Sequence, residues 1–194
     1  MSLLKDKKFF ISDVDGTIFD RMPSYTAIFV DICGQRGVSS ENARGWYLRT
    51  AGDPMPMQLE KCFSGEDIKH TPEIIQKCVA DFWTRAKNVP APLFPGARET
   101  LARLREEGMV LFATSGSGDD ELKRLFLDNL LPPFALVLGS TRIPKGVEHV
   151  HMFADHVKLS LAEFSTLAIL VGDGPTDMRI AKECGILGVG VTTT

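Results

Sequence analysis

Four short stretches of the chain combine carboxylates, hydroxyls, a lysine and glycines. They are Asp13-Val14-Asp15-Gly16-Thr17, Thr114-Ser115-Gly116-Ser117-Gly118, Arg142-Ile143-Pro144-Lys145-Gly146 and Gly172-Asp173-Gly174-Pro175-Thr176-Asp177. Brought together, Asp13, Asp15, Asp173 and Asp177 would repel one another unless a cation neutralised them. All-oxygen ligation suits a hard divalent ion, and Mg²⁺ takes one or two carboxylates together with phosphate oxygens and water. Thr114 and Ser115 offer hydroxyls and backbone N–H groups, and the glycines let a ligand approach the backbone closely. Lys145 adds a point positive charge. The set fits a phosphate group held beside Mg²⁺ with a carboxylate free to attack phosphorus. Asp13 and Asp15 alternate across the end of a strand and so point differently, which lets one act as nucleophile and the other as acid and base.

Each stretch follows an apolar run. Lys8–Ser12 reads as a short buried strand entering Asp13, and Met109–Ala113 as a strand buried on both sides. Further strands are expected at Ala135–Leu138, Leu167–Val171 and Gly188–Val191. Helices are expected between them: one with Ala97, Leu101 and Leu104 on one face and Gly108 as its C-terminal cap, one from Asp119, one over Val147–Leu161, and one over Asp177–Cys184. Strands alternating with helices imply an α/β fold with a doubly wound, mostly parallel, Rossmann-like sheet. In such sheets ligands bind at the carboxyl ends of the strands, where the four stretches lie.

From about Asp20 to Ala91 the pattern is helical without a convincing strand. Thr71-Pro72-Glu73 opens a helix running to about Lys87, and Ser39 or Ser40 caps another that ends near Gly52. Val89–Gly96 is a proline-rich connector expected to form a stiff hinge. The division expected is a core of residues 1–19 and 92–194 and an inserted helical cap of residues 20–91.

The chain has 194 residues, enough for one core with a modest insertion. With 44% hydrophobic and 24% charged residues it has enough apolar surface to offset the ordering entropy. No apolar run reaches membrane-spanning length, and Leu3-Leu4-Lys5-Asp6-Lys7-Lys8 is too short and charged for a signal peptide. A net charge of −3 with no basic stripe argues against a nucleic-acid partner. Cys33, Cys62, Cys78 and Cys184 are scattered, as expected of buried thiols in a cytoplasmic protein. The partner expected is a small phosphorylated metabolite, with the protein a monomer or homodimer.

The order Asp13-Val-Asp15-Gly-Thr17, Thr114, Lys145 and Gly172-Asp173-xxx-Asp177 resembles the four motifs of the haloacid dehalogenase (HAD) superfamily over essentially the whole chain. Four fixed positions in the first motif give a chance match of roughly one in a thousand for a chain of this size. The insertion between the first two motifs is what that family terms a type 1 cap, and Phe94-Pro95-Gly96-Ala97 through Thr114 resembles the phosphoglycolate phosphatase-like branch.

The resemblance implies that Asp13 forms an aspartyl-phosphate and that Asp15 protonates the leaving alcohol and then activates water. It also implies that Thr114, with the backbone near Ser115 and Gly116, binds phosphoryl oxygens, and that Lys145 holds Asp13 and the phosphoryl group together. Asp13, the main-chain carbonyl of Asp15 and Asp173 would ligate Mg²⁺, with Asp177 acting through water or by orienting Lys145. Dehalogenation attacks carbon and has no use for an acid at position 15, so Asp15 favours phosphoryl transfer.

The chain departs from the family in three places. Pro144 precedes Lys145 where the family often has Lys-Pro, which leaves Arg142 as a competitor. The second motif runs Thr-Ser-Gly rather than Thr-Asn, and the chain stops at Thr192-Thr193-Thr194, as a short or truncated form would. Rivals to a phosphatase are a phosphomutase of the same fold, a phospho-receiver or binding module, and a silent scaffold.

Weaker signals have plainer readings. His149, His151 and His156 are expected in solvated or capping roles. Arg44, Arg49 or Lys61 could reach an anionic substrate, with Tyr47–Pro54 as the substrate-selecting turn. Met55 and Met57 read as cap core, and Trp46 and Trp83 as packing between cap helices.

Overall fold

The computed structural model describes residues 5–192. Leu3-Leu4 and Thr193-Thr194, on which the leader and truncation readings partly rest, lie outside the described residues. Five strands, β1 (Phe9–Ser12), β2 (Val110–Thr114), β3 (Leu136–Leu138), β4 (Ala168–Gly172) and β5 (Leu187–Gly190), form one parallel sheet in the order β3-β2-β1-β4-β5. Ser12 is level with Ala113 of β2 and Val171 of β4, so Asp13, Thr114 and Gly172 leave the sheet at one height.

Helices cover both faces. On one side α5 (Ala97–Glu106) and α6 (Asp119–Asp128) bury Leu101, Leu104, Leu122 and Leu125 against Leu111, Ala113 and Ile169. On the other, α7 (Val147–His156), α8 (Leu161–Leu167) and α9 (Pro175–Glu183) pack Val150, Phe153, Phe164 and Ile180 on Ile11, Phe112 and Leu170. The chain runs from β1 into four helices, α1 (Met22–Gly34), α2 (Ser40–Arg49), α3 (Met55–Gly65) and α4 (Pro72–Ala86), which share an apolar cluster around Phe29, Tyr47, Leu59, Phe63 and Phe82.

One expected helix divides. The stretch Val147–Leu161 holds only α7, which ends at His156. Lys158 then turns left-handed at φ +59°, and Ser160 caps α8 by exchanging hydrogen bonds with Glu163. The signal was the Ser160-x-x-Glu163 pattern, a capping box.

Candidate active site

The site forms where the strand ends meet the inserted helices. Asp13 enters the loop after β1 and is buried, and Lys145 Nζ donates to its Oδ1 at 2.6 Å. The same ammonium lies 2.7 Å from Asp177 Oδ1, and both of those side chains are fully buried. Asp13, Asp173 and Asp177 each present one oxygen within 4.8 Å of the others. Burial raises the Asp13 carboxyl well above the carboxylate range, and Asp177 and Asp173 add to this against the pull of Lys145. Asp173 is pushed up to about 6, by burial and then by Asp177. Burial alone would lower Lys145, but Asp13 and Asp177 outweigh it and hold the ammonium charged. Three crowded carboxylates sharing one lysine make a donor set of the kind a divalent cation completes.

Local structure fixes this geometry. Gly16 sits at φ +86°, and a Cβ there would fall 2.2 Å from Asp173 Oδ2, so the first loop passes the last only because it has no side chain. Ser140 Oγ donates to the Ser115 carbonyl and accepts from the Lys145 amide, each at 2.9 Å. That hook aims Lys145 inward, while Arg142 is exposed. Of these two cations, Lys145 is the one that reaches Asp13.

Asp15 faces the cavity opposite. Its Oδ1 accepts from Arg21 Nε at 2.5 Å and its Oδ2 from Ser117 Oγ at 2.9 Å. Arg21 is only 2% exposed; it also reaches Glu121 on α6 and lies over the Tyr25 ring. Sequence reasoning missed Arg21, because its partner Glu121 is 100 residues away and no local pattern marks the pair.

Thr114 does not line the cavity. Its hydroxyl lies 2.8 Å from His149 Nδ1, and His149 Nε2 is 3.0 Å from the Ile143 carbonyl. A carbonyl only accepts, so Nε2 carries the proton. Burial, and then Lys145, lower the imidazole below its ordinary range, so Nδ1 is free to accept from Thr114. Thr114 therefore ties β2 to the helix that follows Lys145, and Ser115, Gly116 and Ser117 are what face the cavity from that loop. The solvated or capping reading fails for His149, which is buried; His151 and His156 are exposed.

From the inserted helices, Tyr47, Ala51, Gly52 and Asp53 of the anticipated turn do line the cavity. Arg49 does not: it is exposed and stacked over Trp46 at 4.6 Å. Arg44 is exposed and away from the cavity, and Lys61 pairs with Asp53. Met55 is buried and lines the cavity, whereas Met57 is 43% exposed rather than core. Gly52, at φ +87°, brings the turn to within 3.5 Å of Lys145 Nζ, measured from where its Cβ would stand. Asp53 accepts from Thr176 Oγ1 of α9 at 2.6 Å, joining the helical insertion to the sheet core.

The cavity, which opens to solvent, holds about 50 Å³, room for about three or four waters or a group of phosphate size. The family model for haloacid dehalogenase-like hydrolases matches residues 10–191. The chain belongs to this family. It is therefore an enzyme of a hydrolase family, as its motif order suggested. It is 28% identical over 193 residues to the probable phosphatase IndB of Dickeya dadantii (strain 3937), covering 96% of this chain and 81% of that protein. Among solved structures, a hydrolase from Pseudomonas syringae superposes with a TM-score of 0.79 at 19% identity, covering 95% and 84% of the two chains. A predicted phosphoglycolate phosphatase from Haemophilus somnus 129PT gives 0.75 at 18% identity, covering 97% and 87%. A beta-phosphoglucomutase candidate from Bacteroides vulgatus gives 0.79 at 22%, covering 97% and 77%. These likenesses establish the shared HAD fold. No helix among the described residues is long and apolar enough to cross a membrane.

Proposed function

We propose that the chain is a Mg²⁺-dependent phosphatase that hydrolyses a small phosphate monoester through an aspartyl-phosphate on Asp13. The observation that carries this reading is one buried ammonium, Lys145, held between Asp13 and Asp177 beside Asp173, with Asp15 across a cavity of phosphate size. The family membership and the phosphatase named above as a relative support it.

Asp13 Oδ attacks phosphorus, the P–O bond to the alcohol breaks, and Asp15 gives the alkoxide its proton. Asp15 then takes a proton from water, whose oxygen attacks phosphorus and releases phosphate and the Asp13 carboxylate. Lys145 keeps Asp13 oriented and offsets the charge gathering on the phosphoryl oxygens. Asp13 and Asp173, with the Asp15 carbonyl, would hold the ion and Asp177 would stand behind it. When bound, the ion neutralises phosphoryl charge. Ser115 and Ser117 fix the loop that faces the phosphoryl group.

The four thiols among the described residues are free and buried, which supports a reducing, cytoplasmic setting. The test is phosphate release from an aryl phosphate and a panel of monoesters, with Mg²⁺, with chelator and with Asp13→Asn. Release that needs both Mg²⁺ and Asp13 is expected. Release that survives chelation or the substitution would overturn the reading.

A further inference from the structure

A carboxylate that is to pass a proton has two oxygens that could carry it. In Asp15 the two have different company. Oδ1 accepts from Arg21 Nε at 2.5 Å, whereas Oδ2 accepts from Ser117 Oγ at 2.9 Å and from Ser115 Oγ at 3.5 Å. Both serines line the cavity; Arg21 is not among the described residues that do.

The guanidinium is braced from its other side. Arg21 Nη1 donates to Glu121 Oε1 at 2.5 Å, the Tyr25 hydroxyl donates to the same oxygen at 3.2 Å, and the guanidinium carbon stands 4.8 Å from the centre of the Tyr25 ring. The backbone beneath is held as well. The Asp20 amide donates to the Pro92 carbonyl at 2.9 Å, and the Arg21 carbonyl accepts from the Tyr25 amide at 3.0 Å.

A buried ion pair of this kind adds little to stability by itself, because desolvation of the charges offsets their attraction. What it secures is orientation. The planar fork sends two of its N–H groups to two different carboxylates, so fixing Glu121 and the ring fixes the nitrogen that meets Asp15.

We propose that Arg21, braced by Glu121, is a positioning residue for Asp15: it occupies Oδ1 and leaves Oδ2 as the oxygen that gives the leaving alcohol its proton and later takes one from water. A guanidinium only donates, so Oδ1 cannot hold a proton where Nε meets it. The Ser117 hydroxyl can donate or accept, and so stays with Oδ2 whether or not that oxygen is protonated. This inference rests on the phosphatase reading above.

The test compares Arg21→Gln and Glu121→Gln with the unaltered enzyme on two esters at saturating Mg²⁺. One is nitrophenyl phosphate, whose phenolate leaves without a proton. The other is the alkyl monoester of the panel above that the unaltered enzyme turns over best, whose alkoxide must be protonated. The quantity read is kcat/KM, which covers the steps up to release of the alcohol and not the later attack of water. Arg21→Gln is expected to lower kcat/KM for the alkyl ester by about 100-fold, and by at least about tenfold more than for the aryl ester. Glu121→Gln is expected to show the same bias more weakly, so the inference can be tested even if Arg21→Gln does not fold. In an Asp15→Asn background, Arg21→Gln should cost the aryl ester less than about twofold further, because Arg21 acts through Asp15. Equal losses on the two esters, as a loosened fold or a direct contact with the phosphoryl group would give, overturn the inference and leave the phosphatase reading standing. So does an undiminished further loss in the Asp15→Asn background, or an unaltered enzyme that turns over aryl esters alone. If no ester gives Asp13-dependent release, the phosphatase reading falls and this inference falls with it.

Discussion

Removing charges one at a time from the Asp13–Lys145–Asp177 cluster separates catalysis from stability. Lys145→Met leaves two buried carboxylates facing each other without their shared cation, a change that typically costs about 3–5 kcal/mol. At about 2–4 °C per kcal/mol for a chain of this size, Tm should fall by roughly 10 °C, read by thermal denaturation. Asp13→Asn has the opposite sign. It removes the carboxyl that burial already holds well above its ordinary range, while Lys145 keeps Asp177 as partner. Its Tm should be unchanged or higher, although turnover falls by about four orders of magnitude or more, as is typical for loss of a nucleophile.

Asp173 adds a pH dependence. Its folded value is raised from 3.8 to about 6, so the folded state binds protons more tightly than the unfolded one between these values. Metal-free stability from this group is fully present below about pH 4 and is lost as pH rises through about 6. Mg²⁺ should therefore raise Tm more at pH 7.5 than at pH 5. Equal shifts at both pH values would count against ligation by this cluster. At this scale the four acids and Lys145 were legible because each follows an apolar run. Arg21 was not, because what marks it is burial beside partners distant in sequence.

Among the elements, the parallel strands could be read from short apolar runs closed by polar and glycine-rich loops. The single helix expected over Val147–Leu161 joined two, because apolar stretches on either side of Lys158 pack on the same face of the sheet and mask the break that Ser160-x-x-Glu163 marks. The same region hides the role of Thr114. Its bond to His149 spans 35 residues and joins β2 to α7, the helix that starts just after Lys145. Thr114→Val and His149→Phe each break that bond and leave a polar partner buried. Each should destabilise by about 1–3 kcal/mol in urea unfolding. The double variant should lose about 1 kcal/mol less than the sum, because the second change removes an already orphaned group. Strict additivity would mean that the bond does not hold α7 to the sheet. A rise in KM in Thr114→Val larger than in His149→Phe would instead give the hydroxyl a direct contact with the phosphoryl group.

At the scale of the whole molecule, two apolar cores of the sheet and a third among α1–α4 meet across a seam that contains the site. The seam itself is polar and local. The turn between α2 and α3 rests on the loops after β2 and β4, and the buried bond from Thr176 Oγ1 to Asp53 Oδ1 latches it. A hydrogen bond to a charged, buried acceptor contributes about 1.5–3 kcal/mol, which corresponds to roughly a 10- to 100-fold bias toward the closed arrangement. On the proposed mechanism, closure would exclude water while Asp13 attacks, and opening would readmit it for the second step. Asp53→Ala and Thr176→Val should therefore each lower kcat/KM by about tenfold or more and speed proteolysis in the proline-rich stretch of residues 89–96. Together they should do little beyond Asp53→Ala alone, since that change already removes the bond to Thr176 along with the half-exposed pairs to Lys61 and Arg179. Lys61→Ala removes a half-exposed partner of the same carboxylate and should change kcat/KM less than about threefold, because such pairs contribute about 1 kcal/mol or less. If Lys61→Ala matched Asp53→Ala, neutralisation of the Asp53 charge rather than the bond to Thr176 would be what holds the two parts together.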